Sequence, residues 1–302
     1  MWSRPDRGDG DPECIEPMAG VVQLIQPKQP TDLNGEQPSG YSDTDLGVQP
    51  ASYLSISSGS EQHITGEVVD EALACISVNG EELTRFMCSP HNLDQLAVGF
   101  LYNEGLINSV DDIRSVHVSK KRTCVDVWLK DAEFEAPKRP IVTAGCGGGV
   151  TFDDLSGMHE PIYSDVIVGA DELAILMREV HLGADMYQRA RGIHTAALAG
   201  DGKLLLQVED VGRHNCLDRL AGAALSSKID TRDRILLSSG RISSEMINKA
   251  RRLQTPIVCS RTSPTSLSVA LAEAWNITLV AYLRKDRMRL YTHPERVHRR
   301  FD

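Results

Sequence analysis

The spacing of hydrophobic and polar positions divides this 302-residue chain into stretches of different texture. From Gly192 onward, short apolar runs (IHTAALA, LLLQVE, RILLSS, PIVCS, ITLVAYL) alternate with amphipathic ones (HNCLDRLAGAALSS, SSEMINKARRL, SPTSLSVALAEAWN). Strands alternating with helices predict a central, partly parallel sheet covered by helices. Just upstream, Leu173, Leu176, Met177 and Val180 share one face of a helix that Asp171 is placed to cap.

The middle of the chain has a shorter rhythm. Glu67 to Val78 alternates loosely and meets Asn79-Gly80, a hairpin signal, followed by a second strand from Leu83 to Met87. Ser89-Pro90 reads as a helix start, with Ser at the cap and Pro at the first helical position. Leu93, Leu96, Ala97, Phe100 and Leu101 then form one buried stripe, and Gly105 is placed to end the helix. Strands are predicted over Ile113–Val118 and Cys124–Leu129, and Ser263-Pro264 repeats the cap signature. The expected organisation is a small α+β domain over 64–135, a Gly-rich loop over 136–165 and a larger α/β domain over 166–302. Residues 1–63 are rich in Pro, Gly, Ser, Asp and Gln, and are expected to form a disordered extension.

Charge narrows the function. The net charge of −10 opposes general nucleic-acid binding, although Arg284, Lys285, Arg287, Arg289, Arg296, Arg299 and Arg300 give the last twenty residues a basic character suited to an anionic ligand. No run of about 18 apolar residues and no secretory h-region occurs, so neither a membrane span nor export is expected. The seven cysteines are scattered and odd in number, without CxxC, which points to a reduced, cytoplasmic protein without a structural zinc site.

Candidate chemistry collects at a few places. Cys146 lies among glycines in Gly145-Cys146-Gly147-Gly148-Gly149, where a thiol has little to pack against. It reads either as a reactive sulfur or as a cysteine that happens to sit in a turn. A nucleophile pairing with His194 or His214 stays open, since spacing cannot place them together. Glu209-Asp210-Val211-Gly212-Arg213-His214-Asn215 marks a strand end entering a helix. So do Ser238-Ser239-Gly240-Arg241-Ile242-Ser243-Ser244 and Ser260-Arg261-Thr262-Ser263-Pro264-Thr265. Each reads as a helix cap or as part of one anion-binding crevice beyond the sheet.

Seven segments, SPHNLDQLAVGFLYNEGLI, TAGCGGG, GIHTAALA, EDVGRHNCLDRLAG, SSGRISSEMINKA, SRTSPTSLSVALA and ITLVAYLRKDRMRLYT, resemble in this order the FdhD/NarQ family of formate dehydrogenase accessory sulfurtransferases. The resemblance spans roughly 64–293. It implies an α/β fold, a layered α/β/α mixed sheet like that of cytidine deaminases, with the smaller α+β domain before it. The H-x-E and P-C-x-x-C residues of zinc deaminases are lacking, so no deamination follows.

The resemblance further implies a sulfur carrier. A cysteine desulfurase would load sulfur as a persulfide on Cys146, which would pass it to the molybdenum cofactor, bis(molybdopterin guanine dinucleotide), before insertion into formate dehydrogenase. The family's cofactor-binding stretch matches Tyr282, Leu283, Arg284, Lys285, Asp286 and Arg287. Arg213, His214, Ser239, Gly240 and Arg241 are further candidates for holding that cofactor. A homodimer stays open. Where the family commonly reads CGxCG, position 149 is glycine, so a resolving thiol is missing and a cofactor chaperone without sulfur transfer competes.

Overall fold

The computed structural model describes residues 47–135, 141–142, 150–151 and 159–298, the two short pieces as backbone only. It opens with a hairpin of β1 (Val48–Ser57) and β2 (Ser60–Val69), paired from Val48↔Val69 to Ser57↔Ser60. The expected disorder over 1–63 is therefore corrected for 48–63, while residues 1–46 lie outside the described residues. Two features order this polar segment. Gly59, with φ +86°, closes the turn. At the other end, Val48 packs with Met186 and Ile193, and Glu67 pairs with Arg189 at 2.6 Å. Such long-range anchors leave no trace in local composition.

The small sheet has the order β4-β3-β6-β5, formed by β3 (Ala72–Val78), β4 (Glu81–Cys88), β5 (Ile113–Val118) and β6 (Cys124–Leu129). Both φ values at the β3–β4 turn are positive, 51° at Asn79 and 89° at Gly80, as an Asn-Gly hairpin demands. Helix α1 (Leu93–Asn103) lays Leu93, Leu96, Ala97, Phe100 and Leu101 on this sheet. Its start differs from expectation. Asn92 precedes it in a left-handed conformation without a side-chain cap, and the Ser89 hydroxyl instead accepts a bond from Val211 N at 3.2 Å. A tertiary contact has taken the capping group.

Cys75 and Cys124 are register partners in the parallel β3–β6 ladder, and their sulfurs lie within bonding reach of one another. The pair is 49 residues apart in sequence, and its adjacency arises only through the sheet.

Two-residue strands β7 (Ile141–Val142) and β8 (Val150–Thr151) pair antiparallel. Cys146 falls between them in sequence, outside the described residues. Next come β9 (Val168–Gly169), α2 (Ala170–Leu182) and α3 (Asp185–Ala190). Gly169, not Asp171, occupies the cap of α2. Asp171 stands in the first turn, where a negative charge favours the helix dipole.

The main sheet alternates with its helices: β10 (His194–Gly200), β11 (Lys203–Asp210), α4 (Arg213–Ser226), β12 (Ile235–Ser238), α5 (Ser244–Arg252), β13 (Ile257–Ser260), α6 (Ser266–Ala274), β14 (Thr278–Ala281) and β15 (Arg289–Thr292). A closing strand, β16 (Val297–His298), pairs with β9. Thr265 caps α6 through a reciprocal box with Ser268, so here too the Ser-Pro signature lies just upstream of the true start. The sheet order is β11-β10-β12-β13-β14-β15, with β12, β13 and β14 parallel and their neighbours antiparallel. The expected mixed sheet is present.

Period-two alternation sorts its faces. Leu198, Leu236, Val258 and Leu279 meet Leu217, Met246, Ile247 and Ala272 of α4, α5 and α6. Ala197, Leu237, Cys259 and Val280 meet Leu173, Leu176 and Met177 of α2.

The small sheet is joined to the main one by α1 against α4. A Cβ at Gly99 would collide with the backbone of Asp218, and one at Gly222 with the backbone of Gln95. The helices therefore cross at backbone contact, and α1 is buried on two sides. All described residues belong to one compact unit, so the expected domains over 64–135 and 166–302 are packed together.

Candidate anion-binding cleft

The parallel strands deliver their carboxyl ends to one edge of the main sheet, and backbone hydrogen bonds stitch the following turns together. Arg261 N donates to Ser238 O at 3.3 Å, Tyr282 N to Thr262 O at 3.1 Å and Leu283 N to Ser260 O at 3.0 Å. Ile242 N donates to Ser263 O at 3.1 Å, and Ser239 N to Thr195 O at 2.9 Å at the start of β10. The turns after β12, β13 and β14 thus share one crevice, as expected for an open α/β sheet.

That edge holds a cleft of about 450 Å³, lined by Ser239, Arg261, Thr262 and Arg284 on one side and by Met177, Val180, Tyr187 and Ile193 on the other. His181, Ala184, Gly192, His194 and Thr195 complete it. A second recess of about 240 Å³, lined by Tyr282, Arg284, Arg287, Met288 and Arg289, shares Arg284 with the first.

Positive charge dominates. Burial lowers the pKa of Arg284, and so do Arg261 and Arg287 beside it. Burial and then Arg261 and Arg191 lower that of His181. Burial and Arg213 lower that of His194, with Asp210 opposing. Burial is the larger cause at all three, and neighbouring arginines add to it. Among the described residues no carboxylate pairs with Arg261, Arg284 or Arg287. Arg284 Nη1 donates to Arg261 O at 2.7 Å and to its own neighbour Leu283 O at 2.8 Å, which pins the guanidinium in the cleft. Such a cluster favours an anion of more than one charge.

The sequence candidates divide. Arg284 lines both the cleft and the second recess, and Tyr282 and Arg287 line the recess; Lys285 and Asp286 are exposed on the same turn. Leu283 is fully buried among Val280, Cys259 and Val297, so its side chain belongs to the core. Ser239 lines the cleft, its Oγ accepting from Thr195 N at 2.9 Å and lying 3.5 Å from His194 Nδ1. Gly240 is a spacer: a Cβ there would stand 2.9 Å from Arg213 Cβ and 3.3 Å from His194 Nδ1. Arg213 is buried behind it and Arg241 is exposed, and neither lines the cleft.

His214 is also withdrawn. Its Nε2 is 2.9 Å from Ser243 Oγ and 3.4 Å from Glu245 Oε2. Burial first, then Lys249 and Arg213, depress its pKa to about 2. A neutral imidazole that resists protonation is a poor general base, which weighs against the hydrolytic pairing with Cys146. Behind it runs a buried chain: Lys249 Nζ donates to Asp218 at 2.7 and 2.8 Å, and Asn103 Nδ2 to Asp218 Oδ1 at 2.8 Å.

Much of the polar sequence signal is structural. Glu209 accepts from Met186 N and Tyr187 N at 3.0 and 2.9 Å, so it fixes the α3 wall of the cleft. Ser243 and Thr265 cap α5 and α6, and Ser260 bonds Gly240 O at 2.6 Å. His181 and Tyr187 went unforeseen, because α2 and α3 carry no polar motif and meet the strand ends only in three dimensions.

Comparison with known proteins agrees with this architecture. The FdhD/NarQ family matches residues 69–298, which leaves most of the β1–β2 hairpin outside. A Sulfur carrier protein FdhD from Staphylococcus aureus (strain MRSA252) is 34% identical over 238 residues, covering 77% of this chain and 90% of that protein. One from Bacillus pumilus is 35% identical, with 77% and 91% covered. The crystal structure of a putative formate dehydrogenase accessory protein from Desulfotalea psychrophila superposes with a TM-score of 0.72 at 28% identity, over 83% of this chain and all of that one. With the family matched across nearly all of the described fold, the chain belongs to the FdhD/NarQ family.

Proposed function

We propose that this chain is a sulfur carrier required for formate dehydrogenase activity, acting in the cytoplasm as a persulfide-relay sulfurtransferase on Cys146. The observation that carries the reading, beside the relatives' names, is the arginine cleft at the carboxyl ends of β12, β13 and β14. Cys146 thiolate attacks the outer sulfur of a cysteine desulfurase persulfide. The donor S–S bond breaks, the donor leaves as a thiolate, and Cys146 gains one sulfur without net oxidation. The cargo that receives this sulfur is the molybdenum cofactor bis(molybdopterin guanine dinucleotide). Arg261, Arg284 and Arg287, with Thr262 and Ser239, suit its phosphates by charge and by hydrogen-bond donors.

A client assay tests it. In cells lacking this protein, the wild-type chain restores formate dehydrogenase activity and Cys146→Ser does not, at equal abundance. Restoration by Cys146→Ser would instead support a chaperone that holds the cofactor without moving sulfur, the reading favoured by Gly149 in place of a second loop cysteine.

A further inference from the structure

A second sulfur centre lies well away from the cleft, in the small sheet. Cys75 on β3 and Cys124 on β6 are register partners with Cα atoms 4.5 Å apart, inside the range that a disulfide spans. Cys75 is 8% exposed, while Cys124, at the start of β6, is half-buried and the more exposed of the two. The other described cysteines are different. Cys88, Cys216 and Cys259 are buried thiols, and burial raises the pKa of each, that of Cys88 to about 12. They are inert as nucleophiles near neutral pH.

We propose that Cys75 and Cys124 form a thiol–disulfide exchange site for a low-molecular-weight thiol of the glutathione class. A thiolate of that class attacks the Cys124 sulfur, the Cys75–Cys124 bond breaks, and Cys75 leaves as a thiolate that takes a proton. A second thiolate attacks the mixed disulfide, releasing Cys124 and a small-molecule disulfide. Two small thiols are oxidised and two protein thiols are formed, so atoms and electrons balance.

The position gives the exchange a consequence. The cross-link closes a loop that contains β4, α1 and β5, and α1 packs at backbone contact on α4, whose first turn holds Arg213 against Gly240. Reduction loosens the support of α4 without touching the cleft itself. This site is independent of the persulfide reading, since Cys146 takes no part.

Thiol counting on the full chain tests it. The protein is held natively in oxidised or reduced glutathione, quenched in acid, denatured and alkylated, and the cysteines carrying either an alkyl label or a glutathione adduct are counted together as labels by mass. With seven cysteines in the chain, five labels are expected after oxidised glutathione and seven after reduced, with the change confined to the peptides bearing Cys75 and Cys124. The Cys75→Ser/Cys124→Ser double variant should carry five in both buffers, and its melting temperature should not respond to the buffer, whereas that of the wild type falls on reduction. Seven labels throughout, or five that native reduced glutathione never raises, would overturn the proposal.

Discussion

Asp210 accepts a hydrogen bond from Arg219 Nε at 2.7 Å, and solvent reaches neither side chain. The carboxylate also accepts from Gly212 N at 2.8 Å, Asn215 Nδ2 at 2.9 Å and Ser89 N at 3.3 Å. Arg219 turns its remaining N–H groups to the carbonyls of Ser89, His91 and Asn92. One buried ion pair therefore ties the end of β11 and the body of α4 to the chain entering α1. The arrangement orders the polar segment Glu209–Asn215 and sets the direction in which α4 presents Arg213.

Removing one partner leaves the other charge buried and unpaired. Arg219→Leu should cost about 3–5 kcal/mol of folding stability. Urea unfolding followed by circular dichroism measures it, and a loss below about 1 kcal/mol would show that the pair does not hold the layers together.

The helix crossing allows no extra methyl on either side. Gly222→Ala drives a Cβ into the Gln95 backbone and should destabilise by at least the roughly 1–3 kcal/mol of an overpacked core. Ala223→Gly, one position along the same helix, should cost only the roughly 1 kcal/mol of helix propensity plus a small lost contact. Comparison of the two melting temperatures checks the crossing; equal losses would place the helices farther apart.

Acid should unfold the protein early. Burial, then Arg219 and Arg122, depress the pKa of His91 to about 3, with a bond to the Glu209 backbone opposing, and His214 is depressed to about 2. Both are neutral in the fold down to those values, whereas an unfolded histidine takes up a proton below about 6.5. The unfolded state thus binds more protons between about pH 6.5 and 3. Their contribution is fully present above that window and is lost as pH falls, by about 1.4 kcal/mol per pH unit per histidine. His91→Gln should flatten the fall of stability from pH 6.5 to 4, read by denaturant melts at several pH values. An unchanged slope would return His91 to ordinary titration.

The cleft makes an unequal demand on its arginines. Arg261→Ala and Arg284→Ala should each weaken binding of inorganic pyrophosphate or GDP roughly 10- to 100-fold, less at high salt, while Arg241→Ala, exposed and off the lining, should change it about twofold at most. Calorimetric titration at two ionic strengths reads this. Equal losses at all three positions would mean that the ligand lies nearer the β12 turn.

Local pattern exposed a good part of this molecule. Strands over Ile113–Val118 and Cys124–Leu129 and the α1 stripe were legible, because alternation and helical spacing report burial directly. Of the three polar turns, those after β12 and β13 open on the cleft, whereas Glu209–Asn215 is taken up by structural bonds and the β14 turn supplies the third wall. What stayed hidden depends on distant partners. Ser89 and Asp210 read as cap and site residues, yet the Asp210 carboxylate accepts from Ser89 N and the Ser89 hydroxyl accepts from Val211 N, across 121 and 122 residues. Leu283 sits inside a polar motif but points into the core, and Tyr187 reaches the cleft from a short helix without any motif. The hairpin strand Val48–Ser57 was missed because its anchors, Met186 and Ile193, are more than a hundred residues away.

Sulfur on Cys146 is the centre of the account, and intact mass tests it most directly. The purified chain is incubated with a cysteine desulfurase and cysteine, without reductant, and weighed. Wild type should gain the mass of one sulfur atom, removable by a thiol reductant, and Arg284→Ala should gain it equally, since loading precedes cofactor binding. Cys146→Ala should gain nothing. An unmodified wild type, or a Cys146→Ala variant that loads as well as the wild type, would contradict it.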